Sequence, residues 1–320
     1  MALRILEEPI VLFRDGSGRV SALQDRCSHR NVQLSGGEVK DGCLQCPYHG
    51  WQFDGHGRCV SVPSLCAGDV IPAGAQVPTY PVREQDGYVW VFVGEGDPGE
   101  LLPYRLPHAG ESGWGESRFD GLIRNSVDNV IENFIDCPHT GYIHGGLFRT
   151  PASHLAETTV RRAPDGVIIE IDEETQTNSL LGRLLVPKGA KVEHVDRFIM
   201  PSIVQVTYRF GPHRQVIGHQ ICTPVSPFET RVFAHTVWQL GWITPLLTPF
   251  VGLVGRKILS QDLGILENQG EQIRRHGEHF VSTAADTANV WIRAFRQQSE
   301  EHRQAGSDGV AREKRVTFRL

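Results

Sequence analysis

Two loops of this chain each offer one thiolate and one imidazole. In CSHRNVQLSGGEVKDGCLQCPYHGW (27–51), sixteen residues separate Cys27-x-His29 from Cys46-x-x-His49. A cluster of two irons and two sulfides needs four protein ligands. A Cys2His2 set divides as two sulfurs on one iron and two imidazoles on the other, which raises the potential above that of an all-Cys cluster. Zinc is the competing reading, because Cys43-x-x-Cys46 is also present and Cys2His2 suits zinc. Zinc sets favour paired Cys-x-x-Cys and His-x-His arrangements over two mixed loops, however. On the iron–sulfur reading Cys43, Cys59 and Cys66 are small apolar side chains and not ligands.

A second constellation stands in ENFIDCPHTGYIH (132–144), where Asp136, His139 and His144 follow at intervals of three and five. Two imidazoles on one face of a helix end can share a metal. A lone His on a mixed face is ordinarily structural, so this motif gains its weight from the donors upstream.

The elements that must position these groups follow from periodicity. Val127, Val130, Ile131, Phe134 and Ile135 recur at three and four, which predicts a helix from Val127 toward His144, ending near Pro138 or Gly141. Short runs such as PIVLFRD, VSALQD and GYVWVFVG between turns predict a small all-β domain over 1–100. A Gly- and Pro-rich linker is expected at 101–115. TTVRRA, GVIIEID, VEHVDRFIM, IVQVTYRF, QVIGHQI and TRVFAHTVWQ predict six antiparallel strands in a curved sheet. KILSQDLGILENQGEQIRR and, after a Ser282 or Thr283 cap, AADTANVWIRAFRQQ predict two helices. The expected fold is α+β, with a second domain over 116–305 and a charged tail over 306–320.

Composition sets outer bounds. A length of 320 residues points to two domains. The net charge of −5 excludes a chain-wide basic field, so nucleic acid is not an expected partner. MALRILEEPIVLF has acids where a signal peptide needs a basic start. A cytoplasmic protein is expected, and clustered Cys in a reducing compartment favours metal binding. TVWQLGWITPLLTPFVGLVG (236–255) carries no charge, but Pro245 and Pro249 argue against a membrane span. A buried or pocket-lining segment is expected there, with peripheral membrane contact as the alternative.

At 27–51, with Arg30, Pro47, Tyr48, Gly50 and Trp51 around the donors, the chain resembles the Rieske domains of the Rieske non-haem iron oxygenases. GHGRCVSVPSL resembles the family's proline-bearing loop that covers the cluster, with Pro63 at its centre, and the resemblance runs on through YPVREQDGYVWVFVG. It implies a Rieske [2Fe-2S] cluster on Cys27, His29, Cys46 and His49, and a mononuclear Fe(II) on His139 and His144. QDLGILENQGEQ resembles the stretch that carries the third ligand, with Asp262 at the expected place and Glu267 as the alternative. By the same resemblance Asp136 is an electron bridge, joining His139 to His49 of the partner subunit in a head-to-tail homotrimer. The roles of Glu132 and Asn133 stay open.

The implied fold is a Rieske domain plus a catalytic domain of helix-grip (START/Bet v1-like) type with an antiparallel sheet. The implied function is that of a terminal oxygenase component of the homotrimeric monooxygenase and demethylase-like type. It would take dioxygen and electrons from a separate NAD(P)H-dependent reductase and/or ferredoxin, since no flavin or dinucleotide fingerprint is visible. Hydroxylation, demethylation, desaturation or cyclisation of a lipophilic or aromatic small molecule is expected, in a pocket of sheet residues and Trp238, Trp242 and Phe250. His194, His213, His219 and His235, on predicted strands, are assigned to ordinary hydrogen bonding. Family members usually begin with a further strand before the one matching PIVLFRD, so a truncated start or a bare domain edge is expected. The alternatives are an electron-transfer protein without oxygenase activity and a zinc-stabilised ligand-binding module.

Overall fold

A strand covered on both faces reads as a continuous apolar run, and EPIVLFR is such a run. In the computed structural model, which describes residues 1–145, 155–174, 192–302 and 313–319, the chain forms two units, Met1–Pro107 and His108–Leu320. In the first unit β1 (Ala2–Ile5), β2 (Glu8–Arg14) and β3 (Val20–Gln24) pair in order, with β8 (Thr79–Tyr80) on the far side of β3. Ile10 and Leu12 of β2 enter one apolar cluster, and Val11 and Phe13 enter another. β1 is the strand that precedes PIVLFRD, so β2 is not a bare edge.

The second small sheet is β4 (Glu38–Lys40), β5 (Cys43–Gln45), β6 (Gln52–Phe53) and β7 (Cys59–Ser61). A hairpin, β9 (Val82–Gln85) and β10 (Tyr88–Val91), follows. The passage expected as a linker is tied back to this unit, since Gln85 donates to the carbonyls of Pro103 and Tyr104 and Asp86 accepts from the Leu106 amide at 2.7 Å.

The second unit is an eight-stranded antiparallel sheet among the described residues. β11 (Gly115–Ile123) lies at one edge, followed in space by β17 (Glu229–Gln239), β16 (Gln215–Ser226), β15 (Ile203–Phe210), β14 (Val192–Ile199), β13 (Gly166–Glu174), β12 (Leu155–Ala163) and β18 (Glu313–Arg319). The six strands β12 to β17 fall on the six predicted segments, as alternation requires. Residues 313–319, expected as a charged tail, instead pair with β12 from Leu155 to Arg161, and Val316 reaches the core. His213, expected on a strand, sits in the turn between β15 and β16.

Helices α1 (Val127–Ile135), α2 (His139–Ile143), α3 (Thr244–His276) and α4 (Thr287–His302) complete the unit. Val130, Ile131 and Ile135 of α1, Leu259 and Leu266 of α3 and Ile292 of α4 share one core with Phe198, Val204, Cys222 and Val232 of the sheet. This is the helix-grip arrangement, with the helices on one face of the sheet.

Close approach of α3 to β11 depends on glycine. A Cβ at Gly270 would lie 2.3 Å from the Arg124 carbonyl oxygen, and one at Gly255 would lie 3.0 Å from the Phe119 ring. Gly270→Ala therefore pushes α3 off a backbone oxygen that cannot yield, and a loss of about 1–3 kcal/mol is expected. A thermal melt reads it, and an unchanged midpoint would show that the contact is not tight.

Candidate metal centres

The first centre is built by two loops on a common apolar floor. Cys27 and His29 follow β3, and Cys46 and His49 lie in the turn between β5 and β6. Buried Asp25 holds the first loop, accepting from the Ser35 amide at 2.7 Å and from its hydroxyl at 2.6 Å. The second loop is closed by the Cys46 amide donating to the Trp51 carbonyl at 2.8 Å and the Gly50 amide donating to the Cys46 carbonyl at 3.1 Å. Gly50 has φ +72°, and a Cβ there would stand 3.1 Å from Pro63 Cγ. The proline-bearing loop thus packs on the second loop.

The donors are sorted by depth. Both thiols are buried above Leu34, Leu44 and Phe53, while His29 is half-buried and His49 exposed. The two imidazoles are 4.7 Å apart between centroids, and Trp51 stacks on His29 at 4.5 Å. The two predicted imidazoles therefore lie side by side, and Cys27 neighbours Cys46. Burial pushes the Cys27 thiol up, opposed by the amides of His29 and Arg30, while neighbouring Cys46 raises it further. A buried thiol pair of this kind favours thiolate only with a cation between the sulfurs, so the donor set fits an iron–sulfur cluster. Cys43, Cys59 and Cys66 are unpaired by disulfides, as are both thiol donors.

The second centre is made by a broken helix facing an unbroken one. Ser126 caps α1 through its hydroxyl, which accepts from the Asn129 amide at 3.4 Å. The helix expected to end near Pro138 or Gly141 stops at Ile135, because Pro138 disfavours helical backbone in the residue before it. Asp136 leaves the helix with ψ 108° and accepts the His139 amide at 3.0 Å, opening α2. His139 Nδ1 donates to the main-chain oxygen of Asp136 and lies 3.4 Å from its Oδ2.

Asp262 comes from the middle of α3, on the same stripe as buried Leu259 and Leu266. Its Oδ1 is 3.1 Å from His144 Nε2 and 3.6 Å from His139 Nε2. Donors held at ~2.1 Å around one ion at right angles are ~3.0 Å apart, so the triad needs only small closure to take a metal. The carboxylate expected at Asp262 thus meets both imidazoles, whereas Glu267 belongs to no three-donor group among the described residues. Burial alone would lower the His144 imidazole, but the Asp262 hydrogen bond and charge, with Gln261, carry it above the ordinary histidine range.

Beside the triad stand Gln261, which escaped the sequence reading, and Asn133, whose role was left open. Gln261 Oε1 accepts from His144 Nδ1 at 3.1 Å, which turns Nε2 toward Asp262 and would leave it as the nitrogen a metal takes. Asn133 donates to Asp262 Oδ1 at 3.2 Å. Gln261→Ala should weaken ferrous binding about 10-fold by freeing the ring. An iron titration measures it, and wild-type affinity would remove Gln261 from the site.

His194, expected in ordinary hydrogen bonding, joins a buried group with Asp196 and Cys137. His194 donates through Nε2 to Asp196 Oδ1 at 2.8 Å, Cys137 Sγ stands 3.6 Å from Oδ2, and the His194 ring stacks on Tyr208 at 4.2 Å. Residues 194 and 196 share one strand face by their spacing of two, which was the available signal. Ordinary hydrogen bonding accounts for the group. His219 and His235 are opposed across β16 and β17, and burial drives His219 down to about 3. Trp242 and Phe250, expected to line the pocket, are instead 79% and 60% exposed, while Trp238 is buried in the core. The outward faces of the short helix at Gly241–Ile243 and of early α3 carry them.

Comparisons with known proteins agree with both centres. Residues 1–81 match the Rieske [2Fe-2S] domain, and residues 123–302, more than half of the chain, match the vanillate O-demethylase oxygenase C-terminal domain. The chain belongs to the Rieske oxygenases. It is 46% identical over 281 residues to the chloroplastic protein TIC 55 of Pisum sativum, covering 85% of this chain and 49% of that protein. It is 38% identical over 291 residues to the chloroplastic chlorophyllide a oxygenase of Chlamydomonas reinhardtii, covering 87% and 42%. The chain thus spans about half the length of these curated relatives. The crystal structure of dicamba monooxygenase bound to dicamba superposes with TM-score 0.83 at 23% identity, over 96% of this chain and 94% of that one, and so supports the fold. A Rieske oxygenase carries a [2Fe-2S] domain, and its His–His–Asp triad here is the candidate mononuclear iron site.

Proposed function

We propose that this chain is the oxygenase component of a Rieske system that oxidises a lipophilic or aromatic small molecule. The observation that carries the reading is the buried His139–His144–Asp262 triad in a chain whose Rieske-matching unit also sets Cys27 beside Cys46 and His29 beside His49. Cluster ligation by those four residues, iron ligation by the triad and a bridging role for Asp136 belong to this proposal, as do a homotrimer, a cytoplasmic setting and a separate NAD(P)H-dependent reductase or ferredoxin. Bound at the triad, ferrous iron supplies dioxygen activation beside the substrate, with electrons from the cluster.

The chain's own residues set the conditions. Gln261 and the Asp136 carbonyl hold the two imidazoles by Nδ1, so that both Nε2 atoms converge on Asp262. Asn133 fixes the carboxylate, and the core around Ile135, Leu259 and Leu266 keeps water from that side. The Asp136 side chain is partly exposed, so a neighbouring imidazole can donate to its carboxylate.

Low-temperature EPR of the anaerobic, dithionite-reduced protein tests the reading, with iron and acid-labile sulfide counted on the same sample. A Rieske spectrum with about three irons and two sulfides per chain is expected. A Rieske spectrum with two irons would favour an electron-transfer protein, and a colourless zinc-loaded sample would overturn both metal assignments.

A further inference from the structure

The outward face of early α3 is an exposed apolar surface that the metal centres do not use. Leu247 and Val251 of that segment pack inward against the cluster of Trp238 and Leu240. Trp242, Leu246, Phe250 and Leu253 point the other way, exposed by 79%, 61%, 60% and 66%. At 3.6 residues per turn, positions 246, 250, 253 and 257 fall within an arc of roughly 60°, so three apolar side chains and Lys257 form one ridge. A soluble helix normally places polar residues on this face, and contiguous exposed apolar surface marks an interaction site.

The charge pattern identifies the occupant. From Val232 to Gln261 there is no acidic residue, and the lysines and arginines are Arg256 and Lys257 alone. Both are exposed; Lys257 lies on the ridge and Arg256 flanks it, about 80° round the helix from Leu246, with its guanidinium 5.8 Å from the Phe119 ring. Aromatic and leucine side chains beside a basic pair are the composition of a segment lying in a membrane interface, with apolar groups among acyl chains and cations at anionic headgroups. Among the described residues no helix is long and apolar enough to cross a membrane. We propose that the ridge Trp242–Leu246–Phe250–Leu253, with Arg256 and Lys257, docks this chain on an anionic lipid surface.

Asp262 lies nine residues beyond Leu253 on the same helix, so the docked ridge and the candidate iron site are ~14 Å apart along its axis. That spacing suits collection of a lipophilic molecule from the bilayer, but the docking itself does not depend on the oxygenase reading.

Co-sedimentation of the full, metal-loaded chain with vesicles tests the proposal. Binding to vesicles of phosphatidylcholine with phosphatidylglycerol is expected, weaker on phosphatidylcholine alone and reduced by salt. The double variant Leu246→Ser, Phe250→Ser should bind at least about 10-fold more weakly. Arg256→Gln with Lys257→Gln should lose about five-fold per charge on the anionic vesicles only. Circular dichroism and the visible absorption of the metal-loaded chain check that each variant is folded. Absence of wild-type binding to anionic vesicles, or wild-type binding by the double serine variant, overturns the proposal. So does a wild type that ignores vesicles while the serine pair dissociates an oligomer in light scattering, because the ridge would then be a contact between copies.

Discussion

Asp136→Asn should leave both metal centres filled and cut turnover by roughly 100-fold. Asp136 is outside the triad, whose donor atoms come from His139, His144 and Asp262. The main-chain oxygen that receives His139 Nδ1 is untouched by the substitution, and an asparagine oxygen can still accept the His139 amide now bonded to Oδ2. What disappears is the negative charge and one acceptor oxygen on the partly exposed side of the residue. If that side joins the His139 ring to an imidazole of a neighbouring subunit, electron delivery fails while iron, sulfide and melting temperature remain at wild-type values. A purely structural Asp136 would instead lower iron content or stability together with rate. Single-turnover oxidation by the pre-reduced protein, measured beside the metal counts, separates these cases, and normal turnover refutes the bridge.

Legibility in the sequence tracked how local each signal is. The six strands from Leu155 to Gln239 announced themselves by alternation, because one face is covered by helices. The four candidate donors of the first centre stand out by spacing, since each pair occupies one tight loop. What stayed hidden depends on contacts distant in sequence. Gln261 is 117 residues from the His144 it orients and Asn133 is 129 residues from Asp262, so nothing nearby in the chain distinguishes either from a solvated amide. β18 was read as a tail because its alternation is short and charged, and its partner β12 supplies the missing reason to fold. The break at Asp136 was placed a few residues late, although Pro138 carried the signal. Segment 236–255 was expected to be buried or to line a pocket, yet Trp242, Leu246, Phe250 and Leu253 are exposed. Its apolar residues divide between two helix faces, and only the packing of Leu247 and Val251 reveals which one is covered.

Asp262→Ala should remove one of about three irons per chain, leave sulfide and the reduced-cluster spectrum intact, and abolish substrate oxidation. The expectation rests on geometry: Asp262 is the carboxylate that faces both Nε2 atoms, at 3.1 and 3.6 Å, and it is almost fully buried. Two imidazoles from a broken helix hold ferrous iron weakly without it, because the third donor also neutralises charge in a site lined by Ile135 and Leu266. Glu267→Ala is the matched control. Glu267 lies five residues further along the helix, past one turn, so reaching the same ion requires α3 to rotate, and Gly270 against the Arg124 carbonyl resists that rotation. Iron analysis with EPR on both variants decides between the carboxylates. Loss of the third iron in Glu267→Ala with retention in Asp262→Ala would mean that the helix turns when metal binds, and would transfer the ligand assignment to Glu267.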